Sequence, residues 1–567
     1  MVITMDFPEE SRYNLATMGT DHKNKKSFLV GISQINTTLG NFILNRQRIL
    51  SDVQRASRDG CKLVVFPETT LFGYHPFDML ERPALVEAQL AEMFYIQKSL
   101  PAGIGVILGV IAKNPKKSGR PYFNSAVLLE KGKKPKYFHK QLLPTGDVFD
   151  EARFIERGSI KNNFVRFQGK TILVTICEDI WAWPMKNRRN QYGENPLLSV
   201  AKKKVDLVVN LSASPFYPGK KKVRHQLVSN TAKLFKAPMV YCNLVGGQDE
   251  IIYDGASFAC DDKGREVLAC SYFQEDFKIF ELENHRNVEK NKPVPNIVLL
   301  KQALVLGIRD YCGKTGIENV HLGLSGGVDS ALVACLAVEA LGAEHVKAFA
   351  LPTTYNSPES LELAQELAKN LGISVQNISI QNIFETMKSL VDQELDIHRF
   401  SLVHENLQAR IRGCILMAVA NHENSLLLST SNKSEYATGY ATLYGDMCGG
   451  LAPIGDLLKR QVYELCDLYN SDRELIPSLI MTRDPSAELR PHQKDKDSLP
   501  SYVDLDQAVE NLVENCSPAK TKTEKWLNPL LLRTEFKRWQ APPILKVSRH
   551  GFGRGRRYPI AQQAREI

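Results

Sequence analysis

Eight residues in the second half of the chain, Gly323-Leu324-Ser325-Gly326-Gly327-Val328-Asp329-Ser330, constrain its fold more than any other stretch. They stand between NVHLG, a strand-like run, and ALVACLAVEAL, a helix-like one. A strand that turns through glycines straight into a helix opens a βαβ unit. The region therefore calls for a parallel, doubly wound, Rossmann-like sheet with ligands at the carboxyl ends of its strands. HVKAFALP, ISVQNISI and SLLLSTS, alternating with helical segments, supply further strands. Gly326 and Gly327 permit backbone approach to a phosphate chain, Ser325 and Ser330 supply hydroxyls, and the helix start supplies N–H groups and positive dipole. Asp329 would repel phosphates unless a cation bridged them, so the loop implies Mg²⁺. A plain turn between strand and helix would explain one of these glycines, not the whole SGGVDS.

The first half has a different texture. Short β-branched runs recur from Ser27 onward: SFLVGISQIN, KLVVFPE, GVILGVIAK, TILVTICED, VDLVVNLSAS and APMVYCNLV. Helical periodicity fills several gaps, as over residues 41–58, so sheets with packed helices are expected. Near Glu283 the pattern stops, and ENHRNVEKNKPVPN, rich in charge with two prolines, reads as a linker. An amphipathic helix is expected over residues 297–311, whereas residues 520–567 have little pattern and should end loosely held. The expected organisation is one α/β domain over residues 27–283, a linker over 284–296 and a second α/β domain over 297–567. A chain of 567 residues is long enough for both.

Composition narrows the function. With 43% hydrophobic and 24% charged residues the chain is globular, and a net charge of +9 is mild for its length. Nucleic-acid binders usually concentrate more positive charge, so anionic small molecules are the expected partners, with no nucleic acid. No uncharged apolar run approaches the ~18 residues a membrane helix needs, and residues 1–26 lack the apolar core of a secretory signal. Eleven scattered cysteines without a CxxC pair argue against structural zinc or a disulfide framework and suit a reducing cytoplasm. Gly313-Lys314-Thr315 looks like the end of a P-loop, but five residues separate Gly313 from Gly307 where the motif needs four. It reads as a chance match. Glycosylation-type triplets at Asn36, Asn210 and Asn432 read the same way, and the basic run at residues 131–136 as a solvated loop. The run at 220–224 sits beside a candidate site.

Three strand-like runs of the first half end in a reactive side chain: VVFPE in the Glu68 carboxylate, FHK in the Lys140 ammonium and TIC in the Cys177 thiol. A helix or turn starting at Cys177 would lower the thiol pKa and hold a developing oxyanion. A carboxylate as general base and a lysine as charge stabiliser would complete a covalent mechanism. These stretches, with KQLLPTGDVFDEARF from Lys140, CEDIW from Cys177 and NLSASPF at residues 210–216, resemble the nitrilase or carbon–nitrogen hydrolase superfamily over residues 27–281. The resemblance implies a nitrilase-like αββα sandwich and cysteine attack on an amide or nitrile carbon. It makes Cys177 the nucleophile, Glu68 the general base, Lys140 the stabiliser of the tetrahedral intermediate and Glu151 a holder of substrate or lysine. In the glutamine-using branch, Ser214 and Lys220 match positions that bind the substrate's α-amino and carboxylate ends. That branch usually has LPNY where this chain has Leu143-Pro144-Thr145-Gly146, so Gly146 replaces a substrate-contacting tyrosine.

SGGxDS is similar to the pyrophosphatase loop of adenine nucleotide α-hydrolase-like enzymes, which split ATP into AMP and pyrophosphate. ENLQARIRG (405–413), STSNKSEYATGYATLYGD (429–446) and PSAELRPHQKDKDSLP (485–500) resemble the NAD synthetases, in their glutamine-dependent branch. That resemblance implies ATP as co-substrate and Mg²⁺ as cofactor. It places Thr430 and Lys459 with the loop in the ATP site and Asp329 with Glu435 as metal ligands. Asn406, Arg410, Glu435 and Lys537 would meet deamido-NAD⁺. The implied activity is hydrolysis of glutamine to glutamate and ammonia, with the ammonia amidating ATP-activated deamido-NAD⁺. A homo-oligomer is also implied. Two other readings are a ligase of the same chemistry with another acceptor acid, and a catalytically dead module keeping the fold. Intact Glu68, Lys140, Cys177, Asp329 and Glu435 argue against the last.

Overall fold

A computed structural model describes residues 27–184, 192–284, 292–491 and 493–562. In the first half, strands β1 (Leu29–Gln34), β2 (Leu63–Val65), β3 (Gly105–Lys113), β4 (Tyr122–Glu130) and β5 (Lys136–His139) form one sheet. Strands β6 (Phe164–Phe167), β7 (Lys170–Ile176), β8 (Leu207–Ser212) and β9 (Met239–Asn243) form most of another. A hairpin follows, β10 (Val245–Gln248) and β11 (Ile251–Asp254). Strands β12 (Phe258–Cys260) and β13 (Glu266–Ala269) complete the second sheet, and β14 (Asp276–Glu281) returns to pair with β1.

Both sheets carry parallel strands at their centres and antiparallel ones at their edges. Period-two alternation decides what lies between them. Val30, Ile32, Val65 and Ile107 of the first sheet meet Ile172, Val174, Val209 and Val240 of the second in one dry layer. The alternate residues, among them Val64, Val106 and Leu108, pack against helices α1 (Phe42–Arg58) and α2 (Pro83–Ser99). On the far side, Leu173, Val208 and Met239 pack against α3 (Lys220–Phe235). The αββα sandwich expected from the sequence is therefore present. α1 begins where expected, because the Asn41 side chain caps the Leu44 N–H at 3.2 Å.

Residues 285–291, the centre of the expected linker, lie outside the described set. Helix α4 (Asn296–Thr315) then opens the second half, longer than the expected 297–311, with the continuous run 303–308 buried and Gln302 and Arg309 exposed. The reason is that it is sandwiched: Phe216, Val245 and Ile252 of the first half and α5 (Val328–Leu341) of the second share its apolar cluster. The second-half sheet consists of β15 (Val320–Gly323), β16 (Val346–Ala350), β17 (Ser374–Asn377) and β18 (Leu426–Leu427), all parallel, in the order β17-β16-β15-β18. The order reverses at β15, so the expected doubly wound sheet has its switch point where the Gly323–Ser330 loop begins. Helices α6 (Pro358–Leu371), α7 (Gln381–Glu394), α8 (Leu402–Glu423), α9 (Lys433–Thr438) and α10 (Lys459–Tyr469) surround it.

The C-terminal region, where the sequence shows little pattern, carries regular elements and long-range contacts. Residues 522–538 are helical, and residues 544–558 run back to the first half, where Lys546 forms a β-bridge with Ile251. Short polar pieces carry no periodicity, so their anchoring by tertiary contacts left no sequence pattern. Residues 563–567 lie outside the described set.

Candidate functional site

The ends of β5 and β7, and the turn after β2, converge at one buried centre. Glu68 follows β2, Lys140 follows β5 directly and Cys177 follows β7, which brings three side chains of distant sequence close enough for the Glu68 and Lys140 charges to act on the Cys177 thiol. Each is at most 3% exposed. Lys140 Nζ donates to Glu68 Oε1 at 2.7 Å and to Glu151 Oε1 at 2.8 Å. Asn124 Nδ2 donates to the same Glu68 oxygen at 2.8 Å, and the Ala213 N–H to Glu68 Oε2 at 2.9 Å. Tyr74 donates its hydroxyl to Glu151 Oε1 at 2.7 Å. Two carboxylates thus share one ammonium, and each is further held by a neutral donor.

Electrostatics follow from that burial. Desolvation alone would lower the Lys140 pKa, but the Glu151 and Glu68 carboxylates outweigh it and hold the ammonium well above its usual value. Burial pushes the Glu68 carboxyl up, the lysine opposing and Glu151 adding to it. Burial, and then the Glu68 charge, push the Cys177 thiol well above the ordinary value, with Lys140 pulling the other way. This corrects the expected lowering. A 3₁₀ turn does start at Cys177 and run to Ile180, but a single short turn supplies too little dipole to offset full burial. Cys177 takes φ +41, which aims its side chain off the strand end. Asp179 ties the turn to the lysine's strand end: Oδ2 accepts the Ile176 N–H, and Oδ1 accepts those of Gln141 and Leu142.

Ser214 and Lys220 flank this centre. The Lys220 ammonium lies 4.4 Å from the ring centroid of Trp181, in the CEDIW stretch, and 4.8 Å from that of Tyr217. Ser214 Oγ accepts from Arg224 Nε at 3.2 Å, and fully buried Arg224 is in turn forked onto Asp254 at 2.7 and 2.9 Å. Gly146 is exposed on the loop before Glu151, with open space where a side chain would begin.

A second centre lies at the carboxyl end of β15. A cavity of about 700 Å³ is lined by Gly323, Leu324, Ser325, Thr430, Asn406 and Lys537 among others. Gly326 holds φ +74, and a Cβ there would fall 2.3 Å from the Ser360 carbonyl oxygen, so the loop admits only glycine. Ser325 and Ser330 hydroxyls lie 3.1 Å apart across the loop. Asp329 Oδ1 accepts from Asn432 Nδ2 at 2.8 Å while Oδ2 pairs with the Lys459 ammonium, which is also 3.8 Å from Glu435. Burial, then the Asp329 charge, push the Glu435 carboxyl well above its usual value, and Lys459 opposes them. Two carboxylates facing one ammonium beside a phosphate-type loop suit a hard dication. Among the described residues no group of three or more His, Cys, Asp or Glu is placed to hold a metal, so Asp329 and Glu435 would act as a pair, with other positions left to phosphate and water.

Arg410 is not among the cavity-lining residues; it is exposed, with Nε donating to the Leu443 carbonyl at 3.3 Å. Lys537 donates to the Gly439 and Ala441 carbonyls at 2.8 and 2.7 Å from the rim. Sequence reasoning missed Arg412, Arg483 and Glu488, which line the cavity. Arg483 reaches the Gly326 carbonyl at 2.5 Å and Ser360 Oγ at 2.8 Å, and Glu488 accepts from Ser360 and Asn356. Burial lowers the Arg412 pKa to about 10 against the pull of Glu488. Arg412 and Glu488 stood inside the quoted RIRG and SAEL stretches, but only packing shows which charges face the cavity. All eleven cysteines are unpaired with one another, as expected.

Comparison with known proteins gives a consistent picture. The carbon–nitrogen hydrolase family model matches residues 29–286 and the NAD synthase family model residues 300–541. A glutamine-dependent NAD(+) synthetase of Synechocystis sp. is 41% identical, covering 94% of this chain and 99% of its own length. One from Thermotoga maritima is 37% identical, covering 95% and 100%. The structure of a glutamine-dependent NAD⁺ synthetase from Acinetobacter baumannii, in complex with ADP, aligns with a TM-score of 0.75 and 33% identity, covering 94% of this chain and 98% of that one.

Proposed function

The chain belongs to the glutamine-dependent NAD⁺ synthetases, and from that premise we propose which of its residues perform each half of the reaction. The enzyme hydrolyses glutamine and uses the nitrogen, with ATP, to amidate deamido-NAD⁺ to NAD⁺. The observation that carries the assignment of the first half is the buried Glu68–Lys140–Glu151 network at the Cys177 turn.

Cys177 Sγ attacks the side-chain amide carbon of glutamine. Burial favours the thiol over the thiolate, so the attack needs a base, and the Glu68 carboxylate, raised by the same burial, is suited to take the proton. Glu68 returns that proton to the departing nitrogen, ammonia leaves, and a water deprotonated by Glu68 opens the thioester to glutamate. The Lys140 ammonium stabilises the oxyanion, kept charged and aimed by Glu151. Ser214 and Lys220 bind the α-amino and carboxylate ends of glutamine.

In the second half, the pyridine carboxylate of deamido-NAD⁺ attacks the α-phosphorus of ATP, and pyrophosphate leaves. Ammonia then attacks the acyl carbon and AMP leaves. Loop N–H groups from Gly323 to Ser330, together with Lys459, neutralise phosphate charge, and Thr430 meets the adenosine end. Asn406 and Lys537 contact deamido-NAD⁺ from the cavity lining, and Arg410, outside that lining in the present arrangement, would turn from the Leu443 carbonyl to meet it. Asp329 and Glu435 would hold Mg²⁺, which when bound offsets charge on the ATP phosphates. Ammonia is protonated in neutral water, so it must pass between the centres inside the protein. A cytoplasmic enzyme, assembled as a homo-oligomer, is the setting we infer.

The test is NAD⁺ formation from deamido-NAD⁺ and ATP, with glutamine and with ammonium salts at alkaline pH, for wild type and Cys177→Ala. Loss of the only nucleophile costs many powers of ten, so glutamine-dependent synthesis should fall to background while ammonium-dependent synthesis and AMP release persist. Turnover with glutamine in the variant would show that Cys177 is not the nucleophile.

A further inference from the structure

Residues 544–558 belong by sequence to the second half but pack across both. Toward the second half, Asp456 Oδ2 accepts the Val547 and Ser548 N–H groups at 2.8 and 2.7 Å, and Oδ1 accepts the Ser548 hydroxyl at 2.8 Å. Asp456 and Glu514 both pair with the buried Lys433 ammonium. Lys433 opens α9 two residues before Glu435, and the cap of α9, Asn432, is the donor to Asp329. The tail is therefore anchored beside the ATP loop.

Toward the first half, the Gly551 N–H donates to Asp147 Oδ1 at 2.6 Å and the Lys546 ammonium stands 3.4 Å from Oδ2. Arg557 pairs with Asp150 at 3.2 Å. Two glycines of the GFGRG stretch make room for this approach. A Cβ on Gly555 would lie 2.7 Å from Val148 Cγ1, and one on Gly551 would lie 3.1 Å from Asp147 Oδ1. All of these contacts fall on the loop 144–151, which ends in Glu151. Asp147 itself sits at φ +55, left-handed backbone that Asp reaches more readily than most residues, and its side chain is fixed there by the tail. Its hydrogen-bond and ion-pair partners among the described residues, Gly551 and Lys546, are both in the tail.

We propose that Asp147 is a positioning residue for the thiol centre: clasped by Gly551 and Lys546, it fixes the loop that sets Glu151 and, through it, the Lys140 ammonium. Use of glutamine thereby depends on a segment of the other half, whereas use of free ammonia does not. The inference rests on the reading of the Cys177 centre as the glutamine-hydrolysing one. It assigns the tail a specific task, which a merely adhesive contact between halves would lack.

The experiment compares full-length Asp147→Ala, Asp147→Asn and Lys546→Met with wild type, using glutamine and ammonium separately and measuring glutamate release. Asp147→Ala should lower glutamine-dependent kcat/KM at least ~10-fold and leave the ammonium-dependent rate within ~2-fold. Asp147→Asn keeps an acceptor for the Gly551 N–H and should recover part of the loss. Lys546→Met should show the same asymmetry, with the double variant no worse than the stronger single one, as expected of partners in one contact. Unchanged glutamine kinetics in Asp147→Ala, or equal losses with both nitrogen sources, would overturn the proposal. Failure of the underlying reading has a separate signature, because wild type would then release no glutamate at all, and that result overturns both.

Discussion

At Asp329 one carboxylate receives Asn432 and Lys459 at the edge of a phosphate-type loop, so a neutral replacement removes an ion pair and, on the function proposed above, a carboxylate that would hold Mg²⁺. Asp329→Asn should abolish synthesis from either nitrogen source while basal glutamine hydrolysis stays measurable; wild-type synthesis rates would remove the residue from the ATP site. Gly146 offers the opposite experiment, since space is open where its side chain would start. Gly146→Tyr should lower the glutamine KM severalfold with kcat within ~2-fold, and an unchanged or raised KM would mean that another residue already makes that contact. Glu68, Lys140 and Cys177 were legible because each follows a strand, and chain order alone suggested a shared end of a sheet. Asn124, Tyr74 and Arg224 were not. Their strongest partners, Glu68, Glu151 and Asp254, lie 56, 77 and 30 residues away in sequence, and nothing local marks them. The thiol's raised pKa was illegible for the same reason: burial is a property of the packed molecule, whereas the turn that suggested a lowered value is visible in the sequence.

Among elements, the strand–loop–helix from β15 to α5 tolerates the least change. Gly326→Ala would impose ~1–2 kcal/mol for its left-handed conformation before any clash with Ser360 is counted. Denaturant unfolding should therefore show a loss of at least ~1 kcal/mol. Synthesis from glutamine and from ammonium should fall together, and a stable, fully active variant would show that the loop can rearrange freely. The parallel strands were readable because β-branched runs bounded by turn residues leave few alternatives. α4 was legible as a helix but runs four residues further at its end, and its polar stripe, Gln302 and Arg309, is narrowed because both halves contribute to its apolar cluster. The tail was missed altogether, because its anchors are single ion pairs and backbone bonds on irregular chain.

For the molecule as a whole, the interface between halves gives a role to a stretch that resembled a nucleotide motif. Lys314, of Gly313-Lys314-Thr315, donates to the Gly247 carbonyl at 2.7 Å and to Asn36 Oδ1 at 2.8 Å, while Asp310 accepts the Gly247 N–H at 2.6 Å. It clamps α4 to the first half and lies far along the fold from any phosphate loop. Lys314→Met leaves two acceptors without their donor, at a cost of about 1–3 kcal/mol. A thermal melt should register a lower Tm, with glutamine-dependent synthesis falling more than ammonium-dependent synthesis. No sequence pattern announces such a clamp, because each partner is ordinary in its own element. The chain leaves the first half after β14 and touches it again through α4 and residues 544–558. The covalent connection is thus only one of the joins between the two halves. A specific protease site engineered between Asn284 and Lys292, once cut, should yield two fragments on a denaturing gel but a single particle on gel filtration. Such a nicked enzyme would go on delivering nitrogen from one fragment to the other, since what keeps them facing is surface and not peptide.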